Sequence, residues 1–290
     1  MIRKRKKYKE CPKTYKSTSG FVINFVMSSS MNTNMNTTQK KIALVTGGSR
    51  GLGKDMALSL ARKGNDVIVT YNSKKEEALQ VVTEIEQLGR RAAALQLNAG
   101  TVASFDSFFA TLQATLKKTF GAECFDFLIN NAGHGISVPS LAATTEEQFD
   151  ELMNVHLKGV FFLTQKAFPY LNDGGAIVNI SSGLTRFTHP GSGAYASIKT
   201  AVETLTKYMA KELGSRFIRA NIVAPGAIAT DFNGGRLRET PQVQEYIKSI
   251  TALPRIGQAD DIGSVVAFLC SEDAKWVNGQ RIEVSGGMYL

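Results

Sequence analysis

The chain has 290 residues, 43% of them apolar and 20% charged, with a formal net charge of +9. That length and apolar content suit one α/β domain with a tail and argue against a disordered or fibrous protein. Residues 1–16 hold eight Lys and Arg against Glu10 alone, so the rest is nearly neutral and neither a nucleic-acid nor a membrane partner is expected of it.

Residues 1–39 read as a separate basic, low-complexity extension, polar from Ser28 to Thr38 and unable to bury itself; disorder is expected there. Its apolar stretch Phe21, Val22, Ile23, Asn24, Phe25, Val26, Met27 is too short to span a membrane and lacks a clear cleavage site for a secretory signal. Organelle targeting and a true start at Met27, Met31 or Met35 stay open. Cys11, Cys124 and Cys270 are scattered, with no CxxC and no nearby His, so neither a disulfide framework nor a metal site is expected, and a reducing, cytoplasmic setting is.

From Lys40 onward strand-like and helix-like segments alternate. Strands are predicted at 42–46, 66–70, 92–97, 125–130, 176–181, 219–223 and 280–284. Most are apolar throughout, as in parallel strands covered on both faces. Between them, residues 52–63 end at Gly64, and residues 74–88 carry Ala78, Val81, Val82, Ile85 and Leu88 on one stripe before Gly89. Thr144 and Glu147 have capping-box spacing ahead of Phe149, Leu152, Met153, Val155 and Leu157. This order predicts a Rossmann-type doubly wound, seven-stranded parallel sheet in a single domain, 40–290.

The first strand runs into Thr46, Gly47, Gly48, Ser49, Arg50, Gly51, Leu52 and Gly53. Such a glycine turn before a helix lets backbone N–H groups approach the pyrophosphate of a dinucleotide. After the second strand the sequence reads Tyr71, Asn72, Ser73, Lys74, Lys75, with no acid to hold an NAD ribose. Arg50 and Ser73 with Lys74 or Lys75 instead suit a 2′-phosphate, so NADP(H) is favoured and NAD(H) is the alternative.

Further along, Tyr195 and Lys199 stand one helical turn apart on one face, where a neighbouring cation would lower the phenol's pKa toward neutrality. With residues 46–53, Asn130, Asn131, Ala132 and Gly133 after the fourth strand, Asn154, Ser182, and Pro225 and Gly226 after the sixth, the chain resembles the short-chain dehydrogenases/reductases over residues 40–290.

The resemblance implies hydride transfer between nicotinamide and a carbonyl or secondary alcohol, with Asn154, Ser182, Tyr195 and Lys199 catalytic. It places Ser182 rather than Ser181 thirteen residues before Tyr195, gives Tyr195 the proton donation and Lys199 the nicotinamide ribose, and has Asn154 hold a water. It puts Asn131, Ala132 and Gly133 beside the adenosine ribose, Asn98 and Ala99 at the adenine in place of a common Asp-Val, and Pro225, Gly226, Ile228 and Thr230 at the carboxamide. His156 stands where an asparagine is common and reads as structural.

Residues 229–258 match the family's substrate lid, and Phe187, His189, His134, Ile136 and Phe232 are candidate lining. The substrate is a small carbonyl or alcohol, equally 3-oxoacyl thioester-like or a broad carbonyl or sugar type. Relatives imply a homotetramer, with a dimer as fallback. A non-catalytic NADP(H)-binding sensor or scaffold is the alternative reading, and an extended-branch epimerase or dehydratase fits the glycine spacing less well.

Overall fold

The computed structural model describes residues 40–136 and 138–290; the expectations for residues 1–39, Cys11 included, lie outside the described residues. Seven strands form one sheet: β1 (Ile42–Val45), β2 (Asp66–Tyr71), β3 (Ala92–Gln96), β4 (Phe125–Asn130), β5 (Leu171–Ile180), β6 (Arg219–Pro225) and β7 (Arg281–Val284). Their order is β3-β2-β1-β4-β5-β6-β7, and every pairing is parallel. The chain turns back between β1 and β4, so the loops after these two strands diverge and leave a crevice at the carboxyl edge.

Nine α-helices are described: α1 (Gly51–Arg62), α2 (Lys75–Gln87), α3 (Phe105–Thr115), α4 (Glu146–Met153), α5 (Gly159–Ala167), α6 (Gly193–Glu212), α7 (Arg236–Glu239), α8 (Pro241–Ser249) and α9 (Ala259–Cys270). Side-chain alternation along β1 shows how they cover the sheet. Ala43 and Val45 join a core with Met56 and Leu60 of α1, Ile85 of α2 and Val266 of α9. Ile42 and Leu44 join the opposite core with Phe105 and Leu112 of α3, Leu163 of α5 and Met209 of α6. Each large side chain fully buried there contributes about 1.5–3 kcal/mol.

The sequence-based strands match this sheet to within a few residues, except that β5 begins earlier, at Leu171, with a register shift against β4 near Phe125 and Phe127. The capping box also moves by one. Thr145 Oγ1 accepts from Gln148 N at 3.3 Å and Gln148 Oε1 accepts from Thr145 N at 3.0 Å, whereas Thr144 closes a preceding 3₁₀ turn. Phe149 and Leu88, expected on buried stripes, are 38% and 43% exposed, because each helix buries a narrower stripe than its apolar content suggested.

Between α4 and α5 the helix widens into a π-turn, Asn154–Lys158. Gly159 closes it beside the loop after β3: a Cβ there would run into Ala99 O and come within 2.9 Å of Asn154 O. The turn therefore lies against the carboxyl edge of the sheet, where π-turns that accompany function are frequent.

Candidate active site

Every expected catalytic and cofactor-binding position lines one cleft of about 1590 Å³ at the carboxyl ends of the strands. At its floor, Gly47 and Gly51 have φ of +64° and +54°, which L side chains rarely adopt. A Cβ on Gly47 would lie 2.8 Å from Ala132 Cα, and one on Gly53 would lie 2.6 Å from Asn131 Nδ2. Helix α1 starts here with no side-chain cap and no acid in its first turn, leaving its N-terminal N–H groups facing the cleft. That cradle fits a pyrophosphate.

Asn131, Ala132 and Gly133 cross over the loop from β4. Thr46 Oγ1 accepts from Asn131 N at 2.9 Å and Ala132 N at 3.0 Å, while Asn131 Nδ2 donates to Thr46 O and Gly47 O at 2.9 and 3.1 Å. The Asn131 side chain thus braces the glycine loop while its backbone borders the cleft. Toward the β2–β3 edge of the sheet, Ser49, Arg50, Tyr71, Asn72, Ser73, Lys74, Asn98 and Ala99 line the cleft. Asn98 Oδ1 already accepts from Gly100 N at 3.0 Å, so an adenine amino group would have to share that oxygen. Arg50 is more than half exposed and lies 3.8 Å from Asp231, a pairing loose enough to yield to a phosphate. Two basic side chains with no acid among residues 71–75 fit a 2′-phosphorylated dinucleotide.

The other end is built by α6 and the loop after β5. The Ser181 hydroxyl donates to Glu203 Oε1 at 2.7 Å and so is committed elsewhere. Ser182 Oγ accepts from Leu184 N at 3.2 Å, which turns its own O–H toward the Tyr195 phenol and favours the phenol's ionised form. Lys199 is buried, donates to Ile180 O at 2.9 Å and lies 5.7 Å from the centre of the Tyr195 ring. Burial lowers its pKa to about 8.

One expectation is corrected here. The Tyr195 pKa is raised rather than lowered, because burial outweighs the Ser182 hydrogen bond and the Lys199 ammonium is turned to a strand-end carbonyl. The helical spacing predicts proximity of phenol and ammonium but not the direction in which the ammonium points.

Asn154 lines the cleft from the start of the π-turn. His156, two residues on, is 1% exposed; its Nε2 pairs with His134 O at 2.7 Å, and its ring meets Tyr195 edge-on at 5.2 Å. Burial and the Lys199 charge bring its pKa down to about 2, which holds the ring neutral. Pro225, Gly226, Ile228 and Thr230 close the cleft between these two ends.

Of the candidate lining, His134, Phe187, His189 and Phe232 border the cleft, with the Phe232 ring 6.1 Å from Tyr195. Ile136 does not; it packs with Leu152, Ala194 and Ile198. Sequence reasoning missed Leu184, Met288 and Tyr289, which also line this end, and placed Tyr246 only within the lid segment. It also missed Glu203, which accepts from Ser181, Thr185 and Arg281 and fixes the serine loop to α6. No local motif marks these residues; only the fold brings them together.

Among the described residues no helix is long and apolar enough to cross a membrane, and no three His, Cys, Asp or Glu side chains converge as a metal would require. A family model described as Enoyl-(Acyl carrier protein) reductase matches residues 47–289. The chain is 41% identical over 253 residues to the 3-oxoacyl-[acyl-carrier-protein] reductase FabG of Staphylococcus aureus, covering 86% of this chain and 98% of the relative. It is 37% identical to an NADPH-dependent aldehyde reductase-like protein, chloroplastic, of Arabidopsis thaliana, covering 85% and 93%. It also superposes on the angucycline C-6 ketoreductase LanV with bound NADP at a TM-score of 0.81 and 38% identity, covering 86% and 95%.

Proposed function

Because the chain belongs to the short-chain dehydrogenase/reductase family, it is an oxidoreductase of the CH–OH group, and we propose that it reduces a ketone with NADPH, Tyr195 delivering the proton. Its similarity to an NADPH-dependent aldehyde reductase-like protein and to NADP-bound LanV supports NADP(H). The observation that carries the reading is Ser182, whose hydroxyl accepts from Leu184 N–H and is aimed at Tyr195.

When bound, NADP(H) supplies the hydride. Gly47, Gly51, Leu52 and Gly53 would hold its pyrophosphate at the start of α1, with Ser49, Arg50, Ser73 and Lys74 at the 2′-phosphate. Tyr71 and Asn72, Asn98 and Ala99, and Asn131, Ala132 and Gly133 would border the adenosine, and Pro225, Gly226, Ile228 and Thr230 the nicotinamide.

Ser182 donates a hydrogen bond to the substrate carbonyl oxygen and fixes its position. Tyr195 donates its proton to the same oxygen as negative charge develops there; a phenol with a raised pKa holds that proton until it is needed. Lys199 brings positive charge to the site below about pH 8. Asn154 would hold the water through which Tyr195 is reprotonated.

A 3-oxoacyl thioester is one substrate this reading admits, since the S. aureus relative is named for that reaction. The reading takes residues 40–290 as the catalytic unit, cytoplasmic, with residues 1–39 as an extension. It also takes the chain as a homotetramer or dimer, supported by the exposed aromatic side chains Phe149, Phe161, Tyr208, Phe268 and Trp276.

The test is oxidation of NADPH and NADH against a panel of ketones, 3-oxoacyl thioesters and sugars. NADPH-dependent turnover that falls about 10²–10⁴-fold in Tyr195→Phe supports the reading. Tight NADPH binding without turnover on any compound favours a cofactor-binding sensor or scaffold instead.

A further inference from the structure

The substrate end of the cleft has a wall made by residues far apart in the chain. A Cβ on Gly183, next to Ser182, would lie 2.8 Å from Phe187 Cε1, so the Phe187 ring is seated directly against the serine turn. The Phe187 ring meets the Tyr289 ring at 4.9 Å, and Tyr289 Oη is 2.6 Å from Tyr246 Oη on α8. Three aromatic side chains therefore run without a break from the group that positions the reacting oxygen to the lid helix.

This wall is mounted firmly. Residues after β7 pair with the segment after α8: Leu253 N donates to Gly286 O at 2.9 Å, and Tyr289 N donates to Ile250 O at 2.8 Å. Arg186 donates to both Met288 O and Tyr289 O, while its guanidinium is forked onto Glu283 at 2.6 and 2.7 Å. Tyr289 itself sits at φ +54°, a conformation that costs a tyrosine energy and that these bonds hold in place.

We propose that Tyr289, bridged to Tyr246, is the specificity-determining residue of this enzyme and selects ketones whose body is a compact aromatic ring system over ketones on long acyl chains. The inference rests on the reading of Ser182 and Tyr195 as the residues that engage the carbonyl oxygen. With the oxygen held there, the body of the substrate lies beside Phe187 and Tyr289, whose rings favour an aromatic partner over an aliphatic one of equal area. A long chain reaching past them meets the joined phenols and must part them.

The experiment compares NADPH-dependent reduction of 2-tetralone and of the N-acetylcysteamine thioester of 3-oxododecanoate by the wild type, Tyr246→Phe and Tyr289→Leu. The wild type is expected to prefer 2-tetralone in kcat/KM. Tyr246→Phe keeps the ring but loses the bridge, so the thioester-to-tetralone ratio should rise roughly threefold to tenfold, the worth of one hydrogen bond. Tyr289→Leu should raise the KM for 2-tetralone more than it lowers kcat.

A wild-type preference for the thioester, or a ratio unmoved in both variants, overturns the proposal. If the wild type reduces neither these compounds nor any member of the ketone, thioester and sugar panel, the catalytic reading fails separately. The wall is then read by the fluorescence of 2-naphthol added to the protein with NADP⁺, where binding weakened in Tyr289→Leu supports the proposal and equal or absent binding refutes it.

Discussion

His156 offers a measurement of the site's interior that needs no substrate. It is 1% exposed, donates its single proton from Nε2 to His134 O, and has its pKa driven from 6.5 down to about 2 by burial and the Lys199 charge. In the unfolded chain it takes up a proton below about pH 6.5, and in the folded chain it does not. Its contribution to stability is therefore complete above the unfolded value and is lost as pH falls toward the folded one. Each pH unit in that window is worth about 1.4 kcal/mol, so between about pH 8 and pH 5 this one side chain removes roughly 2 kcal/mol.

His156→Asn keeps a donor of similar reach and abolishes the titration. Urea unfolding of both proteins at a series of pH values and one protein concentration isolates the effect, since all other groups are shared. The variant should be less stable at pH 8 because the asparagine fills less of the space beneath Gly133, yet its stability should decline less on acidification, by about 2 kcal/mol at pH 5. Parallel pH profiles for the two proteins would refute a neutral, buried His156.

Two further outcomes follow from the same geometry. Gly53→Ala places a Cβ against Gly47 O and Asn131 Nδ2, so NADPH affinity measured by fluorescence titration should fall by an order of magnitude or more, with thermal stability also reduced. Lys199 is charged below its lowered pKa of about 8 and neutral above it, so kcat/KM for reduction should decline above pH 8; a profile flat to pH 10 would remove Lys199 charge from the mechanism.

The sheet was legible because its strands are short apolar runs bounded by polar or glycine-containing turns, a pattern that burial on both faces imposes on sequence. The cofactor end was legible for a related reason. Its residues sit in loops that directly follow strands, so each can be located from the strand it follows, and the parallel sheet brings all of them to one edge. Tyr246, Met288 and Tyr289 join the cleft through pairing of the chain end with residues 250–253 and the Arg186–Glu283 fork, contacts without a local sequence period. The choice between Ser181 and Ser182 rested on an interval from Tyr195, and the physical cause of the difference, Glu203, sits a further helical turn beyond Lys199. The phenol's pKa required knowing what the lysine faces, which spacing does not encode.

The widened turn at Asn154–Lys158 is an accounting device as well as a bend. An α-helix advances about 100° per residue, so one surplus residue sets the phase between the two segments it joins. With it, Leu152 of α4 and Leu163 and Ala167 of α5 pack into apolar clusters while Asn154 reaches the cleft. Deleting a single residue here would allow unbroken α-helical hydrogen bonding and would rotate one of those stripes away from its neighbours. A locally more regular helix would then be a globally worse enzyme, and insertions or deletions in this stretch should be tolerated far less than substitutions.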